Sequence, residues 1–183
     1  MSDKKRCFWC NLKNPIYVRY HDEEWGEPRF DDKYLFEMLV LEGFQAGLSW
    51  ECVLNKREEF RKAFDSFDWG KIAEYSDEKL EELYQNKGII RNRRKIIATR
   101  KNAAVYRDIL SEFGSFYLYL RSFWDGNTVI ENDRTSSSLS DAISRDLKKR
   151  GMGFVGTTII YSFLQAIGII DSHDSECYKS KLN

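Results

Sequence analysis

Apolar positions recur with helical spacing along most of the chain. In "KYLFEMLVLEGF", residues 33–44, Leu35, Phe36, Leu39 and Val40 share a face, and Asp31 or Asp32 can cap the start. Ser49 can cap a helix through "WECVLNKREEFRKAF", residues 50–64, with Val53, Phe60 and Phe64 as its stripe. "SDEKLEELYQ", 76–85, opens with acids, as the helix dipole prefers. "NRRKIIATRKNAAVYRDILSEF", 92–113, places Ile96, Ile97, Ala103, Ala104, Ile109 and Leu110 at helical spacing. "SFYLYLRSFW", 115–124, predicts a shorter helix. "SSLSDAISRDLKKR", 137–150, has an S-x-x-D start at Ser138 and Asp141. "FVGTTIIYSFLQAIG", 154–168, is the last and most apolar. The two prolines, Pro15 and Pro28, both lie near the N-terminus. The polar stretch 125–138, "DGNTVIENDRTSSS", reads as a loop joining elements or crossing between lobes. No internal repeat interrupts this pattern, and the fold class it predicts is all-α.

Composition narrows the picture. With 183 residues, 42% hydrophobic and 15% aromatic, the chain can bury a real core, and it reads as a single domain over 1–183 with room for two lobes. The 29 Lys+Arg equal the 29 Asp+Glu, so nucleic-acid binding has to come from local basic patches. No apolar run reaches the roughly 20 residues of a membrane span. The start "MSDKKRCFWC" has no apolar core of a secretory signal. The expected compartment is the cytoplasm, where four cysteines are free thiols or metal ligands rather than disulfides.

Glu42 stands out, since "LEGFQAGLSW", 41–50, is otherwise apolar or small. A carboxylate there must be solvated, paired or used. Trp9, Tyr17, Tyr20, Trp25 and Trp50 lie close to it in sequence. Flat rings around one carboxylate suit a flat cationic ligand, since ring faces attract cations and the carboxylate adds charge and an acceptor. The plainer reading is that these rings are ordinary core and boundary residues.

Two His–Cys pairs sit at opposite ends of the chain. His173 and Cys177 are four residues apart, so one helical turn would bring them together; Cys7 and His21 form the other pair. Two sulfurs and two imidazoles make a closed tetrahedral zinc set that would staple the termini and contribute folding energy. Cys7-Phe-Trp-Cys10 is itself a C-x2-C pair, so Cys10 either replaces His21 or is a spare thiol. The alternative is two unremarkable histidines and inert thiols. Residues 91–101, "RNRRKIIATRK", hold six positive charges, and Lys148, Lys149 and Arg150 precede Gly151-Met-Gly-Phe-Val-Gly156-Thr157-Thr158. A helix ending at Gly151 and another starting near Thr157 would present free N–H groups to a phosphate. An ordinary helical corner with a solvated charge run is the competing reading.

Taken together, Arg6-Cys7-x-Trp9, "YVRYHDEEWG" (17–26), "LFEMLVLEGFQAGLSW" (35–50), "GIIRNRRKI" (88–96), "LKKRGMGFVGTTIIYSFLQAIG" (147–168) and His173 with Cys177 resemble the 3-methyladenine DNA glycosylase I family of helix-hairpin-helix glycosylases. The resemblance spans nearly the whole chain, although the stretch before Pro15 is one residue longer than in the family pattern. It implies an all-α, two-lobed fold with the active site in the cleft. It implies structural zinc on Cys7, His21, His173 and Cys177, leaving Cys10 spare. It implies a monofunctional enzyme, monomeric and acting on double-stranded alkylated DNA, that flips out and hydrolytically releases N3-methyladenine. Glu42 is then the catalytic, base-recognising carboxylate. Trp50 stacks on the base helped by Trp9, Tyr20 joins Glu42 at the purine edge, and Tyr17 and Trp25 line the site. Gly47 and Leu48 fill the gap left in the base stack, and Lys149, Gly151, Gly153, Gly156, Thr157 and Thr158 hold phosphates. Asp171 matches the place where the wider superfamily carries a catalytic aspartate, but its neighbour His173 offers it a role as a ligand's partner instead. Two other readings are a non-catalytic zinc-containing DNA-binding module, which leaves Glu42 unexplained, and a zinc hydrolase, which four protein ligands would exclude.

Overall fold

The structure is a computed structural model that describes residues 4–181. The helices are α1 Pro15–Glu23, α2 Asp32–Gln45, α3 Trp50–Leu54, α4 Arg57–Ala63, α5 Trp69–Ala73, α6 Asp77–Gln85, α7 Arg93–Phe113, α8 Phe116–Arg121, α9 Ser138–Arg150 and α10 Thr157–Ala166. Two short strands, β1 Val129–Ile130 and β2 Ile170–Asp171, pair in parallel with Val129 opposite Ile170. No helix among the described residues is long and apolar enough to cross a membrane.

The centre of the fold is α2. Asp31 caps it, its side chain accepting from the Tyr34 N–H at 2.9 Å. Every residue from Tyr34 to Phe44 is buried, so this stretch has no solvent face. Helix α10 packs on one side of it and carries α9; α7 packs on the other and carries α5, α6 and α8. The two groups of helices thus meet at α2, and α1 and α3 close one end of the seam.

Polar groups in this core are paired across helices. Glu37 of α2 accepts from Arg57 Nε at 2.5 Å and from Arg61 Nε at 2.9 Å, while Arg57 Nη1 reaches Glu24 at 2.8 Å. Arg57 and Glu37 are both buried.

The structure departs from the sequence expectation at several places. The helix expected over 50–64 breaks at Asn55–Lys56, where Lys56 N–H bonds back to Val53 in a tight turn and the Asn14 side chain holds Asn55. The apolar stripe survives the break, with Val53, Phe60 and Phe64 fully buried. The cap of α9 is Ser137 rather than Ser138, because Ser140 then sits where it can bond back to the Ser137 N–H in a capping box. Helix α1 was hidden by its polar composition, although Asn14 as cap and Pro15 in the first turn announce it. The loop at 125–138 contributes β1.

Removing Arg57 leaves Glu37 buried with only part of its partnership. Arg57→Ala is expected to lower stability by about 3–5 kcal/mol, read as a lower midpoint at unchanged slope in denaturant unfolding.

Candidate active site

A cavity of about 370 Å³ opens between α1, the ends of α2 and α3, α10 and the loop after β1. Trp9, Tyr17, Tyr20, Trp25, Trp50 and Glu42, six residues singled out in the sequence, all line it. Their positions follow from local structure. Tyr17 and Tyr20 lie three apart on the buried face of α1. Trp50 opens α3, which Ser49 caps by accepting from the Cys52 N–H. The rings form two groups: Trp9 packs on Tyr17 at 5.4 Å and on Trp25 at 4.8 Å, and Tyr20 packs on Trp50 at 5.4 Å. Gln45, Asn132, Arg134, Ser162 and Gln165 also line the cavity. Ser162 and Gln165 had a signal, as polar side chains three apart on the most apolar helix. The loop at 131–135 had none.

Glu42 is 3% exposed, and its Oε2 has no hydrogen-bond partner among the described residues. Burial alone pushes its carboxyl up to about 8. The Trp50 indole N–H beside the same cavity is likewise unpartnered. Desolvation also raises Tyr17, to about 12, and raises Tyr20, with the nearby Glu42 adding to both. The site therefore offers a carboxyl and a donor, held dry and aimed at empty space between aromatic faces.

Behind this wall the chain ends meet. The ligand atoms of Cys7, His21 and Cys177 lie within 4.8 Å of one another, all buried. Cys177 Sγ is 3.5 Å from His21 Nε2. Asp22 orients His21 through Nδ1 at 2.9 Å and is itself held by Arg6 at 2.7 and 2.6 Å, which keeps the Asp22 carboxyl well below its ordinary range. The three side chains can hold a metal ion. His173 lies against them, its ring 5.7 Å from that of His21, with a buried Nε2 that has no hydrogen-bond partner among the described residues. Asp171 accepts from His173 Nδ1 at 2.9 Å and from its backbone N–H at 3.1 Å, and it does not line the cavity. Its position serves His173. Gly26 makes room for that ring: a Cβ there would lie 2.7 Å from His173 Cε1, at a φ of +77°. Cys10 stands apart, its thiol directed at the Tyr17 carbonyl at 3.9 Å. Burial pushes the Cys7 and Cys10 thiols up, so neither is a ready thiolate without a metal. Trp25 packs on His173 at 4.6 Å and Trp9 on His21 at 5.3 Å. The cavity and the cluster share a wall.

Helices α9 and α10 meet in a hairpin. Helix α9 ends in Lys148, Lys149 and Arg150, and Gly151 terminates it in the left-handed region at φ 103°. Gly156 then starts α10 without any side-chain cap, so the first N–H groups of that helix are open. The Thr157 hydroxyl donates to Asp141 at 2.6 Å, leaving the Thr157 N–H and Thr158 for any ligand. Of the expected basic run, Arg93 pairs with Glu81, Arg100 with Asp77, and Lys95 turns inward. Arg150 pairs with Asp146 and Glu112. Leu48, on the turn after α2, stands exposed beyond Gly47 at φ +81°.

A cavity of this kind, with a dry acid among aromatic rings, can take a flat ligand that carries positive charge. The sequence profile of the methyladenine glycosylase family matches residues 9–180. The chain is 46% identical to DNA-3-methyladenine glycosylase 1 of Escherichia coli (strain K12), over 94% of this chain and 95% of that one. It superposes on the crystal structure of a 3-methyladenine DNA glycosylase I with a TM-score of 0.91 at 46% identity, over 96% of this chain and 99% of the other. A variant 3-methyladenine DNA glycosylase I, solved in complex with 3-methyladenine, matches with a TM-score of 0.88 at 35% identity over 94% and 96%. The chain belongs to the methyladenine glycosylase family.

The Glu42 environment makes a stability prediction. Its folded-state value, about 8, lies above its ordinary value of 4.5, so the folded protein binds that proton more tightly than the unfolded chain. The contribution is complete below about 4.5 and is lost as the pH rises through about 8. Glu42→Gln removes the titration. The melting temperature of the variant relative to wild type should therefore climb from pH 5 to about pH 8 and level off above it. A constant difference across that range would mean that the carboxylate is ionised without cost.

Proposed function

We propose that this protein is a monofunctional base-excision repair glycosylase that flips N3-methyladenine out of double-stranded DNA and releases it by hydrolysis. The observation that carries the reading is Glu42, a buried carboxyl with an unpartnered oxygen in an aromatic cavity. N3-methyladenine is cationic while attached to the sugar. A dry carboxyl gains most by ionising beside that cation, whereas neutral adenine draws it out far less. Trp50 and Trp9 supply stacking faces, Tyr20 joins Glu42 at the purine edge, and Tyr17 and Trp25 complete the walls. The positive charge weakens the bond to the sugar. When that bond breaks, its electrons go to the base, which leaves neutral; water supplies the new hydroxyl on the sugar, and its proton passes to solvent. No lysine among the cavity-lining residues stands ready to trap the sugar, which supports release without strand cleavage.

Extraction requires a grip on the duplex and something to fill the gap. The exposed Leu48 beyond Gly47 suits the filling role. The open N-terminus of α10, with Gly156, Thr157, Thr158 and Lys149, suits the backbone grip of a helix-hairpin-helix element, while Gly151 and Gly153, whose N–H groups bond to the end of α9 and to Asn102, shape the turn. The protein is read as one domain acting as a monomer in the cytoplasm.

The metal is read as zinc. Its donor set of two sulfurs and two imidazoles fits a closed structural site, and the orphaned His173 Nε2 beside the Cys7–His21–Cys177 cluster supports His173 as the fourth ligand. Bound there, zinc would hold the termini together and take no part in the hydrolysis.

The decisive measurement is base release from DNA treated with a methylating agent. Wild type should free 3-methyladenine and leave most 7-methylguanine in place, while Glu42→Gln should still bind DNA and lose most excision. Equal release by the two proteins removes the role assigned to Glu42. Purified protein should carry about one zinc per chain. Cys177→Ser should lose metal and melt lower, with a smaller effect on the excision rate of the fraction that remains folded.

A further inference from the structure

The basic run at 91–101 contains one residue that faces no solvent. Lys95, in the first turn of α7, is 5% exposed and makes no ion pair among the described residues. Its ammonium donates to two backbone carbonyls, Phe44 at 2.7 Å and Ala46 at 2.6 Å. These belong to the end of α2, where Ala46 is the cap and the chain leaves the helix. A cation at that end satisfies carbonyls that have no helical partner. The turn that follows carries Gly47 and Leu48, and its own backbone contributes one bond, from the Leu48 N–H to the Gln45 carbonyl at 2.6 Å.

Seven residues along α7, Asn102 holds the hairpin between α9 and α10. Its side-chain amide donates to the Gly153 carbonyl at 2.9 Å, and its oxygen accepts from the Gly153 N–H at 2.8 Å. Gly153 lies so close to α7 that a Cβ on it would sit 3.2 Å from that of Ala98. The next residue, Phe154, has φ +56° and places its ring 5.7 Å from Lys95 Nζ. One face of α7 therefore grips both the turn with Leu48 and the hairpin between α9 and α10.

We propose that Lys95 and Asn102 are positioning residues that set the distance between the turn entering the base stack and the hairpin gripping the phosphates. The proposal rests on the reading of Leu48 and the hairpin given above. Neither side chain lines the base cavity. They bear on extraction of the base from the duplex and not on recognition of the extracted base. A cap that serves only stability would affect both steps alike.

The test compares Lys95→Met with wild type in two assays. The first is binding of free 3-methyladenine, followed by tryptophan fluorescence. The second is single-turnover excision from an oligonucleotide with one adenine, methylated and then annealed either to its complement or to a strand with an abasic site opposite. Extrusion costs less from the second duplex. Lys95→Met should bind the free base within about twofold of wild type, and it should lose about 100-fold in excision from the matched duplex, as a displaced positioning element does. About tenfold of that loss should return with the abasic site opposite. Equal deficits on the two duplexes, or a parallel fall in free-base binding, overturn the proposal. If Lys95→Met does not fold, Lys95→Arg keeps the cation and moves the turn, and should give the same duplex-dependent pattern more weakly. Wild type that neither binds nor releases the base would overturn the glycosylase reading, an outcome distinct from a failure of Lys95 alone.

Discussion

A helix buried from Tyr34 to Phe44 must account for every polar group in that stretch, and the stretch carries two acids, Glu37 and Glu42. Glu37 is answered by Arg57 and Arg61, with Glu24 sharing the cation, so its charge ties α1, α2 and α4 into one unit. Glu42 sits in the same helix with comparable burial and has no such answer. The two acids differ in their surroundings: one is neutralised within the fold, the other is left dry at the wall of the cavity. Everything around α2 serves that contrast. Helices α7 and α10 exclude water from its flanks, and the aromatic residues of α1 and α3 leave a cavity at the one carboxyl that is not paired.

The chain termini contribute to the same cavity from behind. Trp9 and Trp25, which face it, rest on His21 and His173. The cluster that ties residue 7 to residue 177 therefore also fixes two walls of the pocket. Asp22 and Asp171 orient the two imidazoles, and Arg6 in turn holds Asp22. A metal in this place would stiffen two walls of the cavity through the rings that rest on its ligands.

Much of this was legible in the residues. The periodic segments gave α2, α6, α7, α9 and α10, because each has a wide apolar stripe and all but α10 have a side-chain cap. Glu42 was conspicuous because a lone acid in an apolar run has few uses. The aromatic residues were close enough in sequence to suggest a cavity, and the His–Cys pairs suggested contact between the ends. Charge runs were less informative. They count cations without saying which way each side chain turns, so Lys95 was grouped with its solvent-facing neighbours, although it lies buried against α2. Pairings such as Arg57 with Glu37 join residues far apart in sequence and leave no local mark. The short helices α3, α4 and α5 depend on tertiary packing more than on pattern, which is why one break at Asn55 could not be read from the stripe across it.

The unpartnered state of Glu42 also bears on turnover. In the proposed reaction the cationic base favours the ionised carboxylate, so tight binding lasts only while the base keeps its charge. Cleavage of the glycosidic bond makes the base neutral. The carboxylate is then left in a dry pocket without a cation, and burial drives it to take up a proton again. Attraction between pocket and base falls at the moment the product forms. In the proposed reaction the same desolvation that favours the charged base thus loosens the hold on the neutral product.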